Sequence, residues 1–167
     1  VHTQTAGTPQ PDRCYAVANV PRDKLYAIDP NTGVPELIGE VSTKILLPED
    51  PRDPQGGRDV NAPTDIEALE FVPADNGAGL VLYAVSQRNF GTLDWTTAQF
   101  TPIGALDNGF GIVDGISFNN VDGIAYDPAS GRMFGVQRRR DGLTDLLFVI
   151  NIETGDLELD AFGPGKL

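Results

Sequence analysis

A hairpin-like pattern that occurs three times constrains the fold of this chain more than any other feature of its sequence. Each copy is a short apolar segment, a polar turn built around Thr-Gly or its equivalent, and a second short segment. The copies span residues 24–39, 92–104 and 147–159. Because self-similarity at a regular spacing is typical of folds in which one small unit stacks on the next, the sequence predicts a repeat architecture.

Longer units can be aligned around these hairpins. Residues 67–73 (Glu-Ala-Leu-Glu-Phe-Val-Pro) match residues 122–128 (Asp-Gly-Ile-Ala-Tyr-Asp-Pro). Residues 82–85 (Leu-Tyr-Ala-Val) match residues 133–136 and, more loosely, residues 14–17. Runs of Val, Ile, Leu and Tyr bounded by Pro, Asn, Asp and Gly are typical of strands and turns. The sequence therefore predicts an all-β repeat domain.

The predicted domain covers residues 12–167 and follows an extended arm of residues 1–11. This arm is interpreted either as a disordered terminus or as a strand that pairs with another unit or another chain. Its units span residues 12–43, 65–106 and 121–162. The first unit has three predicted strands and the other two have four, the last of them at residues 157–162. Two long connectors, residues 43–64 and 104–120, can be interpreted as binding loops, subunit contacts or tolerated insertions.

These motifs resemble secreted bacterial β-propeller repeats. The residues that carry the resemblance are the acidic-Gly-aliphatic-Ala-aromatic-Asp-Pro run at 122–128, Leu-Tyr-Ala-Val at 82–85, and Leu-Tyr-x-Ile-Asp-x-x-Thr-Gly at 25–33. The chain is more distantly similar to NHL, YVTN and gluconolactonase-type propellers. The resemblance implies a partial β-propeller of about three blades, each a four-stranded antiparallel sheet. Three blades cannot close a ring, so we expect a second copy or another protein subunit to complete it, as a ring or a filament.

Few residues in this chain could carry catalysis. The only histidine is His2, in the predicted arm, and the only cysteine is Cys14, in a predicted strand. A histidine-based triad and a multi-histidine metal site are therefore excluded. We interpret the protein as a non-catalytic structural or interaction module.

The charge and the first residue of the chain bear on partners and location. The chain has 24 acidic and 12 basic residues, a formal net charge of −12. This argues against a nucleic-acid partner and against adsorption to an anionic membrane, and no apolar run is long enough for membrane insertion. The chain begins with Val1 rather than Met, which predicts removal of a signal peptide and an extracellular or periplasmic location.

The main alternative function depends on acidic residues. Glu67 and Asp122 begin equivalent strands, and Asp65 and Asp114 lie near them in sequence. The resemblance to gluconolactonase-type propellers implies that such acids could line a central channel and hold Ca²⁺ in a lactonase-like hydrolase or ligand binder. The other interpretation is that Glu67 and Asp122 accept hydrogen bonds between blades. The residues themselves require no cofactor.

One basic cluster stands out in this acidic chain. Arg138, Arg139 and Arg140 lie in a predicted hairpin turn. They are interpreted either as a solvated turn or as a contact to the acidic surface of a neighbouring copy.

Overall fold

The structure is a computed structural model, and it describes residues 13–19, 21–46, 59–74, 79–106, 118, 121–138 and 145–164. Within these ranges the chain forms β-strands and no helix, so the predicted all-β class is confirmed. The strands are β1 (Cys14–Asn19), β2 (Asp23–Ile28), β3 (Pro35–Glu40), β4 (Ser42–Leu46), β5 (Asp59–Pro63), β6 (Ala68–Pro73), β7 (Leu80–Ser86), β8 (Asn89–Leu93), β9 (Gln99–Ala105), β10 (Val121–Asp127), β11 (Arg132–Gln137) and β12 (Leu146–Ile150).

These strands form three sheets. The first sheet is β1-β2-β3 and the last sheet is β10-β11-β12, each with consecutive antiparallel strands. The central sheet has six strands in the order β5-β4-β9-β8-β7-β6. Its strands β6 to β9 are consecutive and antiparallel, whereas β4 pairs in parallel with β9. The three sheets follow the three predicted units, and the first has the three strands expected of it. The predicted arm, residues 1–11, lies outside the described residues.

The predicted fourth strand of the third unit, residues 157–162, is wrong. Only Leu157 forms a bridge, with Ile150, and the chain then turns. Asp160 has a φ of 58°, and its carbonyl accepts a hydrogen bond from the Gly163 amide at 2.9 Å. Arg132 also bonds to the Glu158 carboxylate and the Ala161 carbonyl. A turn-forming backbone held by arginine therefore replaces the strand.

The interpretation of residues 43–64 as a loop is also wrong in part. Strands β4 and β5 lie at the two ends of this segment and pair with each other from Ser42↔Pro63 to Leu46↔Asp59. They extend the central sheet beyond the predicted four strands, and residues 47–58 lie outside the described residues. Most of the second predicted connector, residues 107–117, also lies outside them.

The turns of the three repeated hairpins share one hydrogen-bond pattern. A side-chain oxygen at the first turn position accepts bonds from the amides two and three residues later, an arrangement that fixes a tight turn. The final turn position has positive φ in every copy, and in the second copy alanine takes it, with a φ of 58°. The first positions are Asp29, Asp94 and Asn151, and the final positions are Gly33, Ala98 and Gly155.

The hydrophobic core consists of two clusters, one on each face of the central sheet. Alternate residues of β7 divide between them, because successive side chains of a strand point to opposite faces. Leu82 and Ala84 join the cluster that contains Leu25 of the first sheet. Val85 joins the cluster that contains Phe148 of the last sheet. The central sheet is thus packed between the other two.

Candidate functional site

Acidic side chains join consecutive sheets at the positions where strands begin. Asp23 Oδ2, in the first sheet, accepts a hydrogen bond from the backbone N–H of Ile66 at 2.5 Å, just before β6. Glu67 Oε2 accepts one from the backbone N–H of Val121 at 3.1 Å, at the start of β10. We call these two contacts the acidic bridges. They link the first sheet to the central sheet and the central sheet to the last sheet.

Asp122 is the third acid of this series, but its partner lies in its own sheet. Its carboxylate accepts a hydrogen bond from the backbone N–H of Arg138. The Arg138 guanidinium also lies 3.9 Å from it, and the arginine side chain is 73% exposed. Of the predicted basic cluster, Arg139 and Arg140 lie outside the described residues. The contact with a neighbouring copy therefore stays a prediction.

The structure brings three of the four predicted metal ligands to one region without arranging them as a metal site. Asp65 is exposed and accepts a 3.4 Å hydrogen bond from the Asn19 amide. In the described parts of the chain, no group of three or more histidine, cysteine or acidic residues is arranged to hold a metal ion. Asp114 lies outside these parts, so the Ca²⁺ site stays a prediction.

The environment of Glu67 favours its protonated form. Burial of the carboxyl group raises its pKa to about 7, and the nearby negative charges of Asp65, Asp122 and Asp23 act in the same direction. The hydrogen bond from Val121 opposes the shift. Burial also raises the pKa of Asp23, and the charge of Asp65 adds to that effect. Both acidic bridges are therefore built on carboxyl groups that resist ionisation.

These shifts predict that stability falls as the pH rises towards neutrality. A carboxyl group with a raised pKa in the folded protein binds its proton more tightly there than in the unfolded chain. The stability that it contributes is complete below the ordinary value of 4.5 and is lost as the pH rises through about 7. Between pH 5 and pH 8 the melting temperature of the wild type should therefore fall further than that of Glu67→Gln. The amide oxygen of this variant can accept the same hydrogen bond without titrating.

The control for this experiment is Glu153→Gln, at an exposed turn position. Its melting temperature should fall between pH 5 and pH 8 by the same amount as that of the wild type. Equal losses in the wild type and Glu67→Gln would contradict the role given to Glu67.

A second contact between sheets repeats as well, and it depends on glycine. A β-carbon on Gly39, in β3, would lie 3.3 Å from the Ala98 side chain, in the turn between β8 and β9. A β-carbon on Gly104, in β9, would collide with the carbonyl oxygen of Thr154, in the turn that follows β12. The turns of the second and third hairpins therefore each pack on a glycine of the preceding sheet, and we call these contacts the turn–glycine contacts.

The exposed apolar side chains are concentrated in the first and last sheets and the turns attached to them. None of the large exposed hydrophobic side chains belongs to β6–β9, the strands of the central sheet whose side chains the structure describes in full. They are Val34 (60% exposed), Leu37 (53%), Val136 (44%), Leu147 (51%), Leu159 (55%) and Phe162 (39%). Scattered apolar residues are ordinary on a protein surface, but these six all lie towards the two ends of the stack of sheets.

Comparisons with known proteins identify no relative. No protein-family model matches the chain, and no curated protein or solved structure shows significant similarity to it. In the described residues, no helix has the length and apolar character needed to cross a membrane.

Sequence reasoning missed two parts of this arrangement. Asp23 was overlooked because it opens a different strand of its sheet from those of Glu67 and Asp122. The signal was an acid at a strand start directly after the bend at residues 21–22. The repeated Ile-Gly pairs that end at Gly39 and Gly104 were visible, but their purpose requires knowledge of which turn approaches each glycine.

Proposed function

We propose that this chain is an incomplete β-propeller of three blades that acts as a non-catalytic assembly module. In this proposal it associates with other copies, or with another protein subunit, through its first and last sheets, in an extracellular or periplasmic location. The observation that carries the proposal is the concentration of exposed large hydrophobic side chains at these two ends, with none on strands β6–β9 of the central sheet.

The packing of the central sheet supports this assignment. Both of its faces are buried against neighbouring sheets, whereas each end sheet has one such neighbour among the described residues. Repeat proteins that stay monomeric need terminal units with a polar outer face. Leu37 and Leu147 give the end sheets apolar outer faces, which favours association.

The acidic bridges favour this function over the calcium-dependent hydrolase. Glu67 and Asp23 direct their carboxylates at backbone N–H groups of the next sheet. That use explains their position at the strand starts without a metal ion. The hydrolase stays a prediction that depends in part on Asp114.

Light scattering after size exclusion, over a range of protein and salt concentrations, tests the proposal. We expect the mass to rise above the chain mass of 17.9 kDa as concentration increases. Because the copies carry like charge, association through apolar faces should strengthen with salt, whereas association through Arg138 and its neighbours should weaken. A mass of one chain at every concentration, with no other subunit required for solubility, would contradict the proposal.

A further inference from the structure

The two interfaces between sheets use opposite faces of equivalent strands. The motif Leu-Tyr-Ala-Val occurs in β1, β7 and β11 in related forms. Its second and fourth residues, Tyr83 and Val85 in β7, pack towards the following sheet. Its first and third residues, Leu82 and Ala84, pack towards the preceding sheet. Each sheet therefore has a forward face and a backward face, which are different surfaces.

The same division holds in the end sheets. Tyr15 and Val17 of β1 pack forward against the central sheet. Met133 of β11 packs backward against it, and Gly135 is buried on the same side, where a β-carbon would collide with the ring of Phe148. This leaves the backward face of the first sheet and the forward face of the last sheet without a neighbouring sheet among the described residues.

Strand register identifies the residues on the first of these two faces. Ala16, Tyr26 and Leu37 lie side by side across the first sheet, and Cys14 and Ile28 lie in the adjacent row. We call these five residues the backward end face. Leu37 is 53% exposed and Cys14 is exposed.

The second face has the matching positions of the last sheet. Val136 pairs with Leu147, and Phe134 pairs with Val149. We call the first pair, Val136 and Leu147, the forward end face, since Val149 of the second pair is fully buried. Val136 and Leu147 are 44% and 51% exposed, whereas the C-terminal turn brings Phe162 to 6.4 Å from the ring of Phe134. Val136 occupies the motif position at which Val85 is fully buried by the next sheet.

The turn–glycine contacts point to the same missing neighbour. The turns of the second and third hairpins each pack on the preceding sheet, at Gly39 and Gly104. The first hairpin has the same turn, yet a β-carbon on Gly33 would have no atom within 4 Å.

We propose that copies of this chain join head to tail, the backward end face of one copy packing on the forward end face of the next. This inference rests on the proposed function, and it specifies the partner as a second copy and the geometry as heterologous. The two end faces are the unmatched halves of an interface that the chain already forms twice internally. An interface between two different surfaces leads to a closed ring or an open filament, depending on the rotation between copies.

The test blocks one end face at a time. Leu37→Arg places a charge on the backward end face, and Leu147→Arg places one on the forward end face. Both positions are about half exposed, so both variants should melt as the wild type does. Thr101→Arg, at an exposed position of the central sheet, is the matched control and should assemble as the wild type does.

Each blocked variant alone should have the mass of one chain at concentrations where the wild type assembles, because every junction needs one face of each kind. An equimolar mixture should form a dimer of one copy of each and nothing larger, through the two intact faces. If the wild type assembles while the mixture stays monomeric, the head-to-tail geometry is overturned but the proposed function is not. Assembly of either variant by itself would have the same consequence. A wild type that remains monomeric would overturn this interface, and it would overturn the proposed function as well where no other subunit is required for solubility.

Discussion

Replacement of Gly104 by alanine is expected to lower the free energy of unfolding by roughly 1–3 kcal/mol, the usual cost of forcing an extra group into a packed site. The new β-carbon would collide with the backbone carbonyl oxygen of Thr154, which cannot rotate away as a side chain could. The turn after β12 would have to move from the central sheet. Denaturant unfolding measures this loss through the midpoint and the slope.

Gly123→Ala is the matched control for this change. Gly123 is also a strand glycine, but its β-carbon would lie 3.8 Å from Val136 Cγ2, an ordinary contact distance. Its effect should stay within about 0.5 kcal/mol, as for most surface substitutions. Equal losses from both changes, or no loss from Gly104→Ala, would contradict the turn–glycine contact.

Phe90→Ala is expected to have a larger effect, about 3–5 kcal/mol, since it removes a fully buried ring and leaves a cavity. The Phe90 side chain is 0% exposed and stacks on Tyr83 with ring centroids 5.2 Å apart. It lies in the cluster that joins the central sheet to the last sheet. A loss of this size can unfold a marginal protein, so Phe90→Leu provides a milder variant with the same sign of effect.

Phe162→Ala makes the same chemical deletion at a position that is 39% exposed. It should cost much less stability, because less area returns to water on unfolding. Chemical denaturation of both alanine variants gives the comparison. If Phe162→Ala destabilised the chain as much as Phe90→Ala, the placement of Phe162 outside the hydrophobic core would be wrong.

Local sequence patterns predicted the hairpins because each depends on residues that are neighbours in the chain. The strands at residues 14–19, 80–86 and 132–137 have the predicted bounds. The repeated turn was also readable, including the place where Ala98 stands at the position of Gly33 and Gly155. Asp94 supplies the side-chain bonds that hold this turn despite the missing glycine.

Long-range pairing was not readable in the same way. The parallel pairing of Ser42 with Gln99 joins segments that are far apart in sequence, and nothing in either segment specifies the other. The failed strand at residues 157–162 has a related cause. Its composition suits a strand, but Arg132 and the positive φ of Asp160 hold it in a turn. Tertiary contacts here override local preference.

The candidate site was predictable in part of its residues, since Asp23 was missed, and not in its chemistry. Glu67 and Asp122 were singled out because they begin aligned strands, and both a metal ion and backbone hydrogen bonds were open as their role. Only the distance from Glu67 to the Val121 amide identifies the bond that is made. The exposed ends required the fold as well, since the exposure of Leu37 and Leu147 depends on which strand faces have a neighbour.

Hydrogen exchange at low and high protein concentration tests the central claim, that both end sheets associate while the central sheet does not. We expect amides of β1–β3 and of β11–β12 to exchange more slowly at high concentration, because association suppresses local opening there. Amides of β7 and β8, already covered on both faces, should exchange at the same rate at both concentrations. Protection of only one end sheet, or rates independent of concentration in both, would contradict the account.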